Sequence, residues 1–387
     1  MESNAEIQNA DEKLHPSNLE FFVTDHSPDN EDTGNKEALK RLYADIAKDG
    51  IQSVRFDWRW SNVQPTNEEI DQTASRRYAG AVSLMKEAGL DAPTINLSSI
   101  PEWATKLYST DKEAFFNAYG NYLESVRFNL SNIPDIRVSR FQILNELNVG
   151  TYTPIKDADD IARMCDMTRK TFSGHNQNPK ISVSILAAEL PGVSVLPFIN
   201  EQLKKIKDHV DIITVDYYPG SWLRPTKEGE SGLKSFFKRV ALPGTEAYKE
   251  MFTYMTLFKT VAETFSSWNK EYEIGETGFP TKDIYWGNER RQRYFYDAFS
   301  RSLKHLMADF RRRGISLPSR IGFYEAINEA PKDIRGKILR TTPYPEFDWG
   351  MRTEKGERKL ILQGNLKNPS EGGSRLSEII HYLNQPF

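Results

Sequence analysis

Arg140-Phe141-Gln142-Ile143-Leu144-Asn145-Glu146-Leu147-Asn148 is a short, mainly apolar run that ends abruptly in an amide and a carboxylate. It has the pattern of a buried strand whose last residues carry chemistry out of the sheet. The same design returns at Glu273-Ile274-Gly275-Glu276-Thr277-Gly278-Phe279-Pro280, again a short strand ending in a carboxylate and then in turn residues.

Outward from these two stretches, strand-like and helix-like segments alternate. Leu19 to Asp25 reads as a first strand, and Lys36 to Lys48 as a helix with Leu39, Leu42 and Ile46 at helical spacing, stopped at Gly50. Ile51 to Asp57 is the next strand. Asp71 to Gly89 (helix), Asp91 to Leu97 (strand), Thr110 to Leu130 (helix) and a strand within Ile136 to Glu146 follow. The alternation continues through Asp157 to Phe172, Ile181 to Ala187, Leu196 to Lys207 and Val210 to Tyr217. After a Pro- and Gly-containing stretch from Pro219 to Tyr248, it resumes with Ala247 to Trp268, Tyr272 to Glu276, Glu289 to Arg313 and Arg320 to Glu325.

Eight strand candidates separated by roughly 30 to 60 residues have the spacing of βαβ units with loop insertions. Alternation along a whole chain predicts a parallel sheet covered by helices. With eight units the expected architecture is α/β, a single closed (β/α)8 TIM barrel, with a doubly wound open sheet as the alternative. Residues 1–18 are expected to be a polar N-terminal extension and residues 19–387 the barrel.

Composition narrows the functional classes. Of 387 residues, 38% are hydrophobic and 27% charged, with a formal net charge of -3, which is the profile of a globular chain without a basic footprint for nucleic acid. No apolar run approaches the roughly 20 residues of a membrane-spanning helix, so no membrane partner is expected. The single cysteine, Cys165, excludes an intrachain disulfide framework and reads as a packing residue. His15, His26, His175, His209, His305 and His381 lack ligand spacing, so neither zinc nor any other cofactor is expected. A polar, acidic start without an apolar core gives a cytoplasmic expectation, and a secreted one if a leader has been removed.

Two carboxylates at the carboxyl ends of different strands converge on one mouth of such a barrel. One protonated carboxyl beside one ionised carboxylate is the equipment of retaining glycoside hydrolysis, in which the first donates a proton to the leaving oxygen and the second attacks the anomeric carbon. That chemistry requires the Glu146 and Glu276 carboxyls to lie about 5 Å apart.

The Asn145-Glu146 pair at strand four and Glu276 at strand seven resemble the clan of retaining (β/α)8 glycoside hydrolases. Gly275-Glu276-Thr277-Gly278-Phe279-Pro280, with Phe323-Tyr324-Glu325-Ala326 and Asn328-Glu329-Ala330-Pro331-Lys332, is similar to the β-1,3-glucanase and glucanosyltransferase family. Val54-Arg55-Phe56-Asp57-Trp58 and Leu97-Ser98-Ser99-Ile100-Pro101-Glu102-Trp103-Ala104 look more like exo-acting β-glycosidase and β-xylosidase branches. The resemblance implies a carbohydrate substrate, Glu146 as general acid/base and Glu276 as nucleophile. It further implies Asn145 on the sugar 2-hydroxyl, Arg55 near the nucleophile, and a Tyr218 hydroxyl donating to it. Asp57 and Glu325, near strand ends, are candidates for sugar hydroxyls, and Asp25 and Asn96 are weaker ones. Trp58, Trp60, Trp222, Trp286 and especially Trp349 are candidate stacking platforms. A β-glucanosyltransferase using the same two glutamates and a carbohydrate-binding barrel without catalysis are the alternatives.

Overall fold

The computed structural model describes residues 19–29, 36–90, 92–150, 153–173, 178–187, 195–218, 246–278, 289–324 and 375–385. Eight strands follow one another in chain order around a closed barrel: β1 (Glu20–Thr24), β2 (Ser53–Arg59), β3 (Thr94–Ser98), β4 (Arg140–Ile143), β5 (Lys180–Leu186), β6 (Ile212–Asp216), β7 (Glu271–Glu276) and β8 (Arg320–Phe323). The helices among the described residues are α1 (Lys36–Lys48), α2 (Trp60–Val63), α3 (Gln72–Glu87), α4 (Glu102–Thr110), α5 (Lys112–Ser131), α6 (Ala158–Phe172), α7 (Val195–Phe198), α8 (Lys204–Ile206), α9 (Glu246–Ser267), α10 (Glu289–Arg313) and α11 (Arg375–Asn384). The expected (β/α)8 barrel is the observed fold. No described helix is long and apolar enough to cross a membrane.

By contacts the chain forms two compact units, Glu20–Asp216 and Met1–Leu19 with Tyr217–Phe387. In the first, β1 to β6 pair in parallel with registers such as Asp57↔Asn96, Asn96↔Gln142 and Leu186↔Asp216. The strands alternate between two kinds of buried face. Val54, Phe56, Trp58, Ile95, Leu97, Phe141, Ile143, Val183, Ile185, Ile213 and Val215 form the apolar face. Phe141 stacks on Phe172 of α6 at 4.0 Å and Trp58 on Tyr78 of α3 at 5.2 Å, so this face lies under the helices.

The opposite face is polar and equally buried: Arg55, Asp57, Asn96, Gln142, Ser182, Ser184, Thr214 and Asp216. Arg55 on β2 donates through Nε to Gln142 Oε1 on β4 at 3.1 Å, skipping β3, and such a bond can only run through the inside of the barrel. Barrels of this type ordinarily fill that interior with branched apolar side chains. A polar interior demands mutual hydrogen bonding, because an unpaired buried polar group costs about 1–3 kcal/mol.

Helix starts follow their sequence signals. Asp71 accepts from the N–H groups of Thr73 and Ala74, Asp111 from Ala114, and Asp157 from Asp159, each cap being worth about 1 kcal/mol. The helix expected over Thr110 to Leu130 is α5, which starts just after Asp111, and α4 before it is a helix the sequence reading did not include. The helix expected over Leu196 to Lys207 is interrupted by a π turn at Ile199–Leu203. Trp58 and Trp60 are corrections of a different kind. At 0% and 1% exposure neither is a sugar platform; Trp60 packs among Trp103, Phe115, Tyr119 and Tyr122, stacked on the last at 5.2 Å. Cys165 is fully buried in α6, and burial pushes its thiol far up, as befits a packing residue.

In the second unit β7 and β8 are parallel, with Ile274 opposite Ile321. Tyr217 stacks on Phe258 of α9 at 4.7 Å, and Tyr296 of α10 meets Phe323 edge-on at 5.6 Å. Glu273 and Arg320, each 1% exposed, form an ion pair between the two strands at 3.9 Å. Leu19 joins this unit through its N–H, which donates to Asn384 Oδ1 of α11 at 2.8 Å.

Candidate active site

β4 is only four residues long because its chain turns out of the sheet into left-handed backbone. Leu144 has φ 62° and Glu146 φ 43°, conformations that cost a non-glycine residue of order 1–3 kcal/mol and survive only where the surroundings impose them. Here the neighbouring strands do so. The Leu144 N–H donates to the Leu97 carbonyl on β3 at 3.1 Å, and the Leu147 N–H to the Ser184 carbonyl on β5 at 2.9 Å. Asn148 acts as a substitute strand residue: its Nδ2 donates to the Leu186 carbonyl at 2.9 Å, and its Oδ1 accepts from the Leu186 N–H at 2.8 Å.

Ser184 is the hub of this turn. Its Oγ accepts from the Glu146 N–H at 2.7 Å and from Gln142 Nε2 at 3.1 Å, and donates to Asn145 Oδ1 at 3.3 Å. Asn145 Oδ1 also accepts from Arg55 Nη2 at 2.8 Å and Gln142 Nε2 at 3.2 Å. Three donors on one oxygen fix the amide, so its Nδ2 is left as a donor, the polarity needed to bind a hydroxyl oxygen. Glu146 itself is 6% exposed.

Two residues of this half have carboxylates already engaged. Asp57 accepts from Asn96 Nδ2 at 2.7 Å and lies 3.5 Å from Arg59 Nε and 4.0 Å from His26 Nδ1. Burial pushes its carboxyl up, but His26, Arg59, Arg55 and Asn96 together outweigh burial and hold it below the usual aspartate value. Asp25 accepts from the Ser27 N–H and hydroxyl at 3.1 and 2.6 Å and from the Tyr43 hydroxyl at 2.9 Å, while burial raises its pKa. Its oxygens serve the loop after β1 and the α1 contact.

In the second unit Glu276 closes β7 with 6% exposure, and the Tyr218 hydroxyl donates to its Oε2. Their backbones are coupled too: the Tyr217 N–H donates to the Glu276 carbonyl at 2.8 Å. The next residue continues the pattern, with the Thr277 N–H on the Gly322 carbonyl at 3.0 Å and the Tyr324 N–H on the Thr277 carbonyl at 2.8 Å. Tyr324 meets the Tyr218 ring edge-on at 6.1 Å, which fixes the phenol that faces the carboxylate.

Of the residues singled out in the sequence, Arg55, Asn145 and Glu146 belong to one bonded network and Tyr218 and Glu276 to another. Asp57 and Asn96 form a pair on the polar face. Glu325, Trp349, Trp222 and Trp286 lie outside the described residues. Three members went unnoticed in the sequence: Gln142, Ser184 and Asp216. Their signal was the period of two, a polar residue at alternate positions of β4, β5 and β6 in otherwise apolar strands.

No family model and no curated protein matches the sequence. Solved structures do match. A GH5_18 protein from Streptomyces cattleya in complex with GlcNAc is 15% identical with a TM-score of 0.62, over 96% of this chain and 82% of that one. A GH5_18 protein from Bifidobacterium longum subsp. longum ATCC 55813 is 16% identical with a TM-score of 0.59, over 95% and 78%. An exo-beta-1,4-mannosidase from Opitutaceae bacterium strain TAV5 is 13% identical with a TM-score of 0.59, over 94% and 59%. Two of these neighbours bear the name GH5_18 and the third that of an exo-mannosidase, and at such identities the likeness establishes a common (β/α)8 barrel.

Proposed function

We propose that the protein is a retaining β-glycoside hydrolase in which Glu146 is the general acid/base and Glu276 the nucleophile. The observation that carries this reading is that each glutamate stands, nearly buried, at the carboxyl end of its strand, β4 or β7 of a closed parallel barrel, within its own hydrogen-bonded support. Carboxyl ends of the strands of such a barrel open on one face, where side chains from distant strands serve one substrate.

The chemistry assigns the roles. A phenol hydroxyl donating to Glu276 stabilises the ionised carboxylate that must attack the anomeric carbon. Attack forms the glycosyl-Glu276 ester and breaks the glycosidic bond, whose oxygen leaves with the Glu146 proton. Glu146 then takes a proton from water, which attacks the anomeric carbon, breaks its bond to the Glu276 oxygen and releases the sugar with its β configuration retained. The fixed Nδ2 of Asn145 donates to the sugar 2-hydroxyl, a contact that strengthens toward the oxocarbenium-like transition state.

A panel of nitrophenyl β-glycosides, with the β-mannoside and β-glucoside as first members because neighbours of this fold include a mannosidase and a glucosidase, tests the proposal. Turnover of at least one member, its loss in Glu276→Gln, and azide rescue of Glu146→Ala with a β-glycosyl azide product are expected. Sugar binding without turnover would replace the enzyme by a carbohydrate-binding barrel. Glycosylated products at high substrate concentration would assign the second step to a sugar hydroxyl and make the protein a transglycosylase.

A further inference from the structure

Asp216 ends β6 with its side chain on the polar inner face, completely buried. Among the described residues, neither of its carboxylate oxygens has a hydrogen-bond partner of good geometry. The adjacent donor is the Ser184 hydroxyl, whose one proton is contested between Asp216 and Asn145 Oδ1. A carboxylate oxygen of Asp216 lies within 4.8 Å of one of Glu146. Two buried carboxyls at that distance do not both ionise freely; the second proton is held more tightly than either would be alone.

We propose that Asp216 is a positioning residue that acts through Glu146: the two carboxyls hold one proton between them, and the charge of Asp216 keeps that proton available to the leaving group. This deepens the proposed function and rests on it. The surroundings agree in direction. Burial raises the Asp216 carboxyl to about 6, with Arg55 and the Ser184 hydroxyl pulling it down and Asp57 pushing it up. Arg55 and Asp57 on β2, Ser184 on β5 and Glu146 after β4 are the charged and polar groups that face it within its unit. On the proposed mechanism the Glu146–Asp216 proton passes to the leaving oxygen as the glycosidic bond breaks.

The test is Asp216→Asn, which keeps the shape and removes the charge. With a nitrophenyl glycoside the basic limb of the kcat/KM profile is expected to move to lower pH by about one to two units, the scale of one like charge at this distance. An unmoved limb would overturn the proposal. A second readout needs no turnover. A carboxyl whose folded pKa is raised contributes stability that is present below its unfolded value and lost as pH rises through the folded one. Wild-type thermal stability is therefore expected to fall as pH rises through about 6, and Asp216→Asn to lack that decline. Identical declines in the two proteins would count against Asp216 as the titrating group. An active wild type with both glutamate variants inactive and the basic limb unmoved in Asp216→Asn would sink this inference alone. An inactive wild type, or glutamate variants that keep their activity, would sink the glycosidase reading itself.

Discussion

Glu146 and Glu276 are the same residue type with the same 6% exposure, yet they differ in backbone and in what their side chains meet. Glu276 ends a strand in ordinary backbone and meets a phenol hydroxyl. Glu146 follows the strand in left-handed backbone, hangs from Ser184, and has a second carboxyl within 4.8 Å. On the proposed mechanism the first environment suits a nucleophile and the second an acid. The proposed division of roles therefore rests on what is placed beside each side chain and not on how deeply it is buried.

The contrast breaks most completely at Glu276. Glu276→Gln is expected to lower kcat by about 10⁵-fold or more, the scale of a lost nucleophile, in a steady-state assay with any nitrophenyl glycoside that the wild type accepts. Glu146→Ala should cost about 10²- to 10⁴-fold with an alkyl glycoside and far less with dinitrophenolate, which leaves without a proton. Equal losses on the two substrates would remove Glu146 from the acid role. Tyr218→Phe deletes a hydrogen bond to a charged group, worth about 1.5–3 kcal/mol, so kcat is expected to fall about 10- to 100-fold while the protein folds normally. Ser184→Ala has the smallest effect. It leaves the buried Glu146 N–H without its acceptor, and a loss of about 1–3 kcal/mol in denaturant unfolding is expected, with about a tenfold lower kcat.

The fold was legible in the sequence because a parallel strand buried on both sides and an amphipathic helix leave different periods, and eight alternations leave little choice of architecture. Ends were less legible. Trp60 reads as a loop residue after strand two, whereas it starts α2 and enters an aromatic cluster that four residues from two other helices complete. The candidate site was legible where a strand-like run ends in an abrupt change of polarity, as before Glu146 and at Glu276. It was illegible where the polarity is modest and the meaning comes from other strands. Ser184 in Lys180-Ile181-Ser182-Val183-Ser184 is an unremarked strand serine, and only the register of β5 beside the β4 turn makes it the support of Glu146. Asp216 was hidden by its neighbours, since the tyrosines that follow it carry the more familiar signal.

A twofold hydrogen-bonded clasp ties the Asn148 amide to the Leu186 backbone. It fastens a chain that has already left the sheet, and it does so five residues after Ile143, so the count between them is fixed by both fasteners at once. Adding or deleting one residue there would force a choice between the serine anchor and the amide clasp, whereas the loops leading back from helices to strands can absorb length. Over evolutionary time this short segment should therefore vary in letter before it varies in length.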